Sequence, residues 1–566
     1  MQPRSLLPPT LFLALALYSL SPVLPEFNSA IPAPAHGSRT VPLFNAWTIL
    51  WNSLQLHEGF PNYWHAPIFF PQQRAFAFSE PQPATILVAP LKPHSNNPAL
   101  AYNAWLLLSL TLNGLLAHRL LRWLDVPAAF AAAASAAIVL QPLLHHQLDS
   151  AQLVPLWPSI WTITALLQLQ QLAACRAHSR RRIIVKGSEV GIAFSATAAC
   201  ALHHSLFLAL LLLLTAWITV PPKHLGRWLT GAAAAAVAVL PILPLALEIH
   251  AALAAPHYTR EESLITQLSV QPADFLRSPS QTLLTLPALR GHSYFPLNPG
   301  WLRLLAASAA VFASFAAVCR PASNLCSAKQ SAAIRFLAAL TLAAALLALG
   351  SRLRIGPVKL WPVLAEYLPG VAQVRSPFRF GYFYQTSLLL LAAPGIALLH
   401  TKLVSQTPLR NHPRLQSIAI LLTAIAISCE SLPGKLQLIG VPNPARPPAW
   451  VVAARQHLPD GHALLILPFA PNASAASYED TTRRMIHATA HHIPLVNGYS
   501  GFFPPAYYEL QKQLQQPLTT QLAQQLAAQN ISAILSTSNH CTSQLLQSAP
   551  NSLSILWNHA PSQQTL

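Results

Sequence analysis

The chain has 566 residues, of which 53% are hydrophobic and only 9% charged. An ordinary soluble domain is roughly 25% charged, so this chain cannot build a soluble protein's polar surface and reads as a membrane protein. Its net charge of +18 falls in short clusters between apolar runs and not in one stripe, which argues against nucleic acid and for lipid phosphate as the partner.

Apolar runs long enough to cross a bilayer recur along the chain. The first, about Leu6 to Leu24, is read as an uncleaved span, because only Arg4 precedes it and no small-residue cleavage site follows. The stretch from His36 to Asn97 is rich in rings, including Trp47, Trp51, Tyr63, Trp64, Phe69, Phe70, Phe76 and Phe78. Loops much longer than about 15 residues are functional or disordered, and so many rings argue against disorder. This stretch is expected to be an ordered cap of short amphipathic helices on the membrane surface.

Further spans are expected near Ala101–Leu116, Leu153–Leu172, Leu229–Leu247 and Phe380–Leu399, with a last one ending near Cys429. The segment Val190–Val220 reads as two short spans meeting at His203 and His204. The total is about 11. The cluster RAHSRRRIIVK, with Arg176, Arg180, Arg181, Arg182 and Lys186, predicts a cytoplasmic loop by the positive-inside rule. Counting from it places the His36–Asn97 loop, the turn with His145, His146 and Asp149, and the tail outside. None of the six cysteines forms a CxxC pair, so no disulfide framework or zinc site is indicated.

After about residue 430 the spans stop. VPNPARPPAW is a Pro-rich joint. WVVAARQHL reads as a helix, HALLILPF as a buried strand, PPAYYELQKQLQQ and TTQLAQQLAAQ as helices, and ISAILS as a strand. The expected organisation is a transmembrane domain over 1–430, a linker over 431–441 and a small α/β domain over 442–566 on the outer membrane face. That domain is expected to dock on the first loop.

Several stretches carry a resemblance. FNAWTILWNSL, IFFPQQRAFAFSE, NNPALAYNAWLLLSLTLNGLLAHRLLRWL, LPGVAQVRSPFRFGYF and MIHATAHHIPLVNGYSGFFPPAYYEL resemble elements of bacterial polytopic membrane proteins grouped with the GT-C-type glycosyltransferases, which use polyprenyl-phosphate-linked sugars. The resemblance implies a mainly α, polytopic fold in the bacterial cytoplasmic membrane. It also implies transfer of a sugar from a polyprenyl-phosphate donor to a glycan or lipid acceptor at the outer face. No cofactor is fixed, and a divalent cation stays open.

Such transfer needs a base for the acceptor hydroxyl and stabilisation of the leaving phosphate. In the family an acid of the first external loop commonly serves, often an Asp shortly before the Asn-x-Trp element. Here that stretch is SRTVPLFNAW, with no acid. Glu80, in the matching Ser-Glu element, is then the candidate base; its other reading is a helix cap or a partner of Arg74. Flanked by Phe78 and Pro81, it is expected to be enclosed. Arg375 and Arg379 are candidate phosphate binders, or interfacial anchors. Asn45, Trp47 and Tyr499 are candidate substrate contacts, with packing of the outer domain as the alternative for Tyr499. His145, His146 and Asp149 read as a polar turn rather than a metal cluster. The missing acid keeps a second class open: a non-catalytic homologue that binds or positions lipid-linked glycans. A lipid or glycan transporter ranks third, for want of a repeat or many intramembrane charges.

Overall fold

The computed structural model describes residues 7–34, 37–91, 97–175, 177–220, 222–254, 258–278, 295–319, 327–407, 411–472 and 474–537, with 543 and 547. His36, Arg176, Arg410, Cys541, the expected cytoplasmic turn from Arg320 to Cys326 and the end of the tail lie outside them. The chain divides into two compact units. One comprises Met1–Pro25, Leu106–Leu247 and Pro256–Leu436; the other comprises Glu26–Trp105, Glu248–Ala255 and Gln437–Leu566.

The first unit is helical and polytopic. Among the described residues, six helices of the chain are long and apolar enough to cross a membrane: Pro98–Trp123, Ala128–His146, Arg180–Cys200, Pro222–Ala252, Ala328–Ala348 and Pro377–Val404. Four shorter apolar helices accompany them: Pro8–Ser19, Leu202–Thr215, Trp301–Ala316 and Pro413–Cys429. In lipid there is no hydrophobic force between helices, so small residues and polar staples hold the bundle. Gly187 is one such residue: a Cβ there would collide with the Gly231 carbonyl on the facing helix. Arg303 is a staple. It is fully buried, and its guanidinium donates to the Ile427 carbonyl (2.9 Å from Nε) and the Pro299 carbonyl (2.7 Å). Glu430 accepts the backbone N–H groups of Leu302 (2.7 Å) and Arg303 (3.2 Å), placing a carboxylate at a helix N-terminus.

The basic cluster opens a helix. Ser179 caps a helix by accepting the Arg182 N–H, so Arg180, Arg181 and Arg182 form the first turn of Arg180–Cys200. Arg227 covers the preceding helix end, donating to the carbonyls of Cys175 (3.0 Å) and His178 (2.7 Å). The break in the next segment falls at the extended residue Ala201, just before His203 and His204, between Arg180–Cys200 and Leu202–Thr215.

The second unit is α/β. Ala30–Ala33 pairs antiparallel with Gln437–Gly440. Ala463–Leu467 is fully buried and pairs parallel with Ile531–Ser536, with an added bridge from Leu464 to Leu495. Helices Ala449–His457, Glu479–Ala490, Pro505–Gln513 and Thr520–Ala528 complete it. Ala449–His457, Ala463–Leu467, Pro505–Gln513, Thr520–Ala528 and Ile531–Ser536 fall where the tail's elements were expected, whereas Glu479–Ala490 and the pairing of Ala30–Ala33 with Gln437–Gly440 were not expected. The first loop differs from expectation. Its longest element is one helix, Thr40–Glu58, buried almost throughout from Thr40 to Gln55. A helix buried on all sides is a core helix, not a surface one. It packs against Glu479–Ala490, where the Trp47 indole donates to Thr489 Oγ1 at 2.6 Å.

Candidate functional site

Two clusters of polar side chains stand out, one in each unit. In the second unit the group is centred on the loop Ser79-Glu80-Pro81-Gln82. Asn45 and Asn52 lie seven residues apart on the Thr40–Glu58 helix and therefore share a face. Asn52 Nδ2 faces the carbonyls of Pro81 (2.6 Å) and Gln82 (3.0 Å) and Thr85 Oγ1 (2.9 Å). Its Oδ1 accepts from the Tyr63 hydroxyl at 3.0 Å. Asn45 Oδ1 accepts from Gln82 Nε2 at 3.0 Å, and its own amide donates to the Val41 carbonyl. Gln82 sits at φ +48°, a left-handed conformation that a non-glycine residue holds only when its surroundings impose it. Here the two asparagines impose it.

The Asn-Gly-Tyr-Ser-Gly-Phe stretch lies along the same loop. Asn497 is tied to strand Ala463–Leu467 by two bonds to Ile466, donating to its carbonyl (3.0 Å) and accepting its N–H (2.7 Å). The Phe69 N–H donates to the Asn497 carbonyl at 3.4 Å and the Phe502 N–H to the Phe78 carbonyl at 3.0 Å. Gly498 is required because a Cβ there would stand 2.6 Å from the Phe69 ring. Three of the stretches that carried the resemblance, FNAWTILWNSL, IFFPQQRAFAFSE and MIHATAHHIPLVNGYSGFFPPAYYEL, thus meet around Ser79 and Glu80.

Glu80 itself is half-buried, not enclosed. Arg74 pairs with Glu248 at 3.1 Å. Trp47 and Asn45 are fully buried, and Tyr499 stacks edge-on against Phe44 with ring centroids 5.4 Å apart. These three side chains are engaged in holding the unit together. Tyr478, in contact with Tyr499 and Phe503, has its hydroxyl pushed up to about 12 by burial.

In the first unit the group forms where a membrane helix is broken. Ala128–Val139 stops, Gln141 is extended, and Pro142 starts the short helix Pro142–His146. A break at membrane depth needs substitutes for the lost backbone bonds. Asn113 supplies them on one side: its Oδ1 accepts the N–H groups of Leu156 (2.9 Å) and Trp157 (2.7 Å), and its Nδ2 donates to the Val154 carbonyl (2.9 Å). On the other side Gln385 Oε1 accepts the Leu143 N–H at 3.1 Å, and Thr386 donates to Gln141 Oε1 at 3.0 Å. These bonds tie the break to the helix Phe380–Ser405.

Arg379 and Tyr382 stand at the start of that same apolar segment, Pro377–Val404. Arg379 is buried, and Arg375 is half-buried four residues before it. The charges of Arg379 and Asp149 both act on the Tyr382 hydroxyl, which is fully buried and has no hydrogen-bond partner. The His204 ring lies 5.6 Å from the Tyr382 ring. Asp149 is partly accessible at its surface, yet enough protein surrounds the carboxyl that burial pushes it up to about 7, against a lowering bond from its own backbone N–H. The sequence singled out the two arginines but not their company. The missed signal was Asn113, Gln141 and Gln385, polar residues inside apolar runs. Among the described residues no group of three His, Cys, Asp or Glu side chains could hold a metal ion.

A mainly helical, multi-pass bundle with this α/β unit is a GT-C-like membrane fold. It is similar to the arabinofuranosyltransferase AftD from mycobacteria, at 16% identity and a TM-score of 0.53, over 94% of this chain and 36% of that one. The chain therefore spans about a third of that protein's length. ArnT from Cupriavidus metallidurans in the apo state matches at 13% identity and a TM-score of 0.36, over 86% of this chain and 84% of that chain. No protein-family model and no curated protein matches the sequence.

Proposed function

We propose that the protein is a membrane glycosyltransferase. It transfers a sugar from a polyprenyl-phosphate donor to a glycan or lipid acceptor at the outer face of a bacterial cytoplasmic membrane. The observation that carries this reading is the meeting of three stretches that resemble those of GT-C-type enzymes at one tightly held loop bearing Glu80. Two Asn52 hydrogen bonds to the backbone of Pro81 and Gln82, with Asn45 holding the Gln82 side chain, support a positioned reactive group beside them. Glu80 takes the proton of the acceptor hydroxyl, and Arg375 and Arg379 hold the donor phosphate.

The test is transfer by the purified protein from polyprenyl-phosphate sugars. Glu80→Gln keeps the size and removes the base, and loss of a general base typically costs about 100- to 10,000-fold in rate. Arg375→Ala raises the KM for the donor, while Glu58→Gln does little. Full activity in Glu80→Gln refutes the assignment. Donor binding by the native protein without transfer of any sugar tried supports instead the non-catalytic reading, which the absent acid before Asn45 favours.

A further inference from the structure

We propose that the hairpin and short helix between the spans Ala328–Ala348 and Pro377–Val404 form a foot in the adjoining lipid leaflet, with an apolar tip among the acyl chains and Arg354 on the headgroup phosphates. The inference stands apart from the glycosyltransferase reading, because it concerns how the first unit meets the bilayer and not what reacts there.

The local sequence builds the foot. Arg354–Ile355 pairs antiparallel with Val358–Lys359, and Gly356 and Pro357 close the hairpin. Gly356 takes the first turn position at φ +61°, and the proline ring requires a negative φ at the second. That order is the type II′ turn, whose twist suits the two strands. The Leu360 N–H donates to the Leu353 carbonyl at 3.0 Å, so the ladder runs straight into helix Leu360–Tyr367.

Contacts to the start of a span set its height. Gly350, at φ +49°, packs so closely on Pro377 that a Cβ would stand 2.6 Å from the proline Cγ. Trp361 is buried, its ring edge-on to Phe380 with centroids 6.5 Å apart. Pro377 and Phe380 stand in the first turn of the apolar segment Pro377–Val404. The foot is therefore fastened at two points where that helix enters the bilayer, and only its free face is left to place.

That face does not suit water. Ile355 and Val358 stand opposite each other at the tip, 67% and 51% exposed. A Cβ on Gly356 would meet nothing within 4 Å, so among the described residues nothing covers the turn. Val363 and Tyr367, one helical turn apart, lie on the side opposite Trp361 and are also exposed, Tyr367 to 72%. Glu366, exposed as well, marks the edge of this face. An apolar pair with an aromatic ring and cations beside it is the pattern of a segment seated at a lipid interface. Lys359 is paired with Glu262, and Arg352 donates to the Thr266 carbonyl at 3.1 Å. Arg354 is exposed and makes no ion pair among the described residues, which leaves it for a lipid phosphate.

The test places an environment-sensitive fluorescent amino acid at position 355 of the full-length protein, and in a second preparation at position 367. Each is reconstituted in phosphatidylcholine nanodiscs, whose two faces are both open to iodide. Phosphatidylcholine brominated on its acyl chains quenches both labels, while iodide hardly does. Val358→Asn, a change at an exposed position, lifts the tip, and the label at 355 loses about half its bromolipid quenching and becomes open to iodide. Brominated phosphatidylglycerol at the same mole fraction is enriched about fivefold near one basic residue and quenches the label at 355 more strongly; Arg354→Gln removes the difference. Quenching of both native labels by iodide and not by bromolipid overturns the proposal. Shielding from both quenchers also overturns it, since the tip is then covered by protein. Equal quenching by the two brominated lipids overturns the part given to Arg354.

Discussion

Asn52 is the side chain on which the position of Glu80 depends most directly. Its amide faces the carbonyl of Pro81, the next residue after Glu80, along with Gln82 and Thr85, and its Oδ1 takes the Tyr63 hydroxyl. Asn52→Ala removes this set of bonds. At a net value of about 1 kcal/mol per bond, the loss is about 3 to 4 kcal/mol. Asn52→Asp is the sharper perturbation because the shape is unchanged. An ionised carboxylate has no donor and would face three oxygens, so it binds a proton instead and its pKa in the folded state is raised. The sign follows: the unfolded chain loses its proton near the ordinary Asp value of about 3.9, the folded one later, so stability falls as pH rises through that window. Asn52→Asp is therefore expected to melt lower than the native protein, and lower at pH 8 than at pH 5. The assay is thermal unfolding in nanodiscs, followed by tryptophan fluorescence, because Trp47 and Trp51 flank the site on the same helix. Transfer should fall about 100-fold in the Asp variant at temperatures where it is folded, since a shift of about 1 Å in a reacting group costs that much. An Asn52→Asp protein that melts with the native one, at both pH values, refutes the idea that this amide holds the loop.

Three further outcomes follow from the geometry. Asn113→Leu keeps the volume but orphans two backbone N–H groups and a carbonyl at the helix break; it should cost about 2 to 4 kcal/mol, measured by unfolding in detergent, with faster hydrogen exchange at Leu156 and Trp157. Gly498→Ala forces a Cβ against the Phe69 ring and should cost about 1 to 3 kcal/mol, part of which Phe69→Leu in the same chain recovers in a melting experiment. His487 is held down to about 4 by burial and by the charge of His491. The unfolded chain takes up the proton first, near 6.5, so stability present above pH 6.5 is lost as pH falls towards 4, and His487→Gln should flatten that part of the melting-temperature profile.

How much was legible from sequence differs between the two groups of side chains. The tail's strands and helices followed from alternation and from proline and glycine punctuation, because those signals are local. The aromatic content of the first loop already implied that it packs against something. That it is one buried helix was not legible: its rings fall on every side, and only the presence of Glu479–Ala490 on one flank and Pro83–Leu91 on another makes that stable. The Ser179 cap is a local signal, a serine just before a helix, that the charge of the neighbouring arginines obscured.

By itself the sequence determined that this chain lives in a membrane and what class of elements it contains, since composition and apolar run length act residue by residue. It also marked Glu80, Arg375 and Arg379 as groups worth placing. Only the tertiary structure decided what surrounds them. Asn52 reaches the backbone after Glu80 across about thirty residues, and Gln385 reaches Leu143 across 242. Asp149 stood in the sequence as one acid in a polar turn. Its carboxyl is lifted by burial, and its charge is felt at Tyr382, more than two hundred residues later. Desolvation and charge proximity depend on distance in space, so no reading of local order could have supplied them.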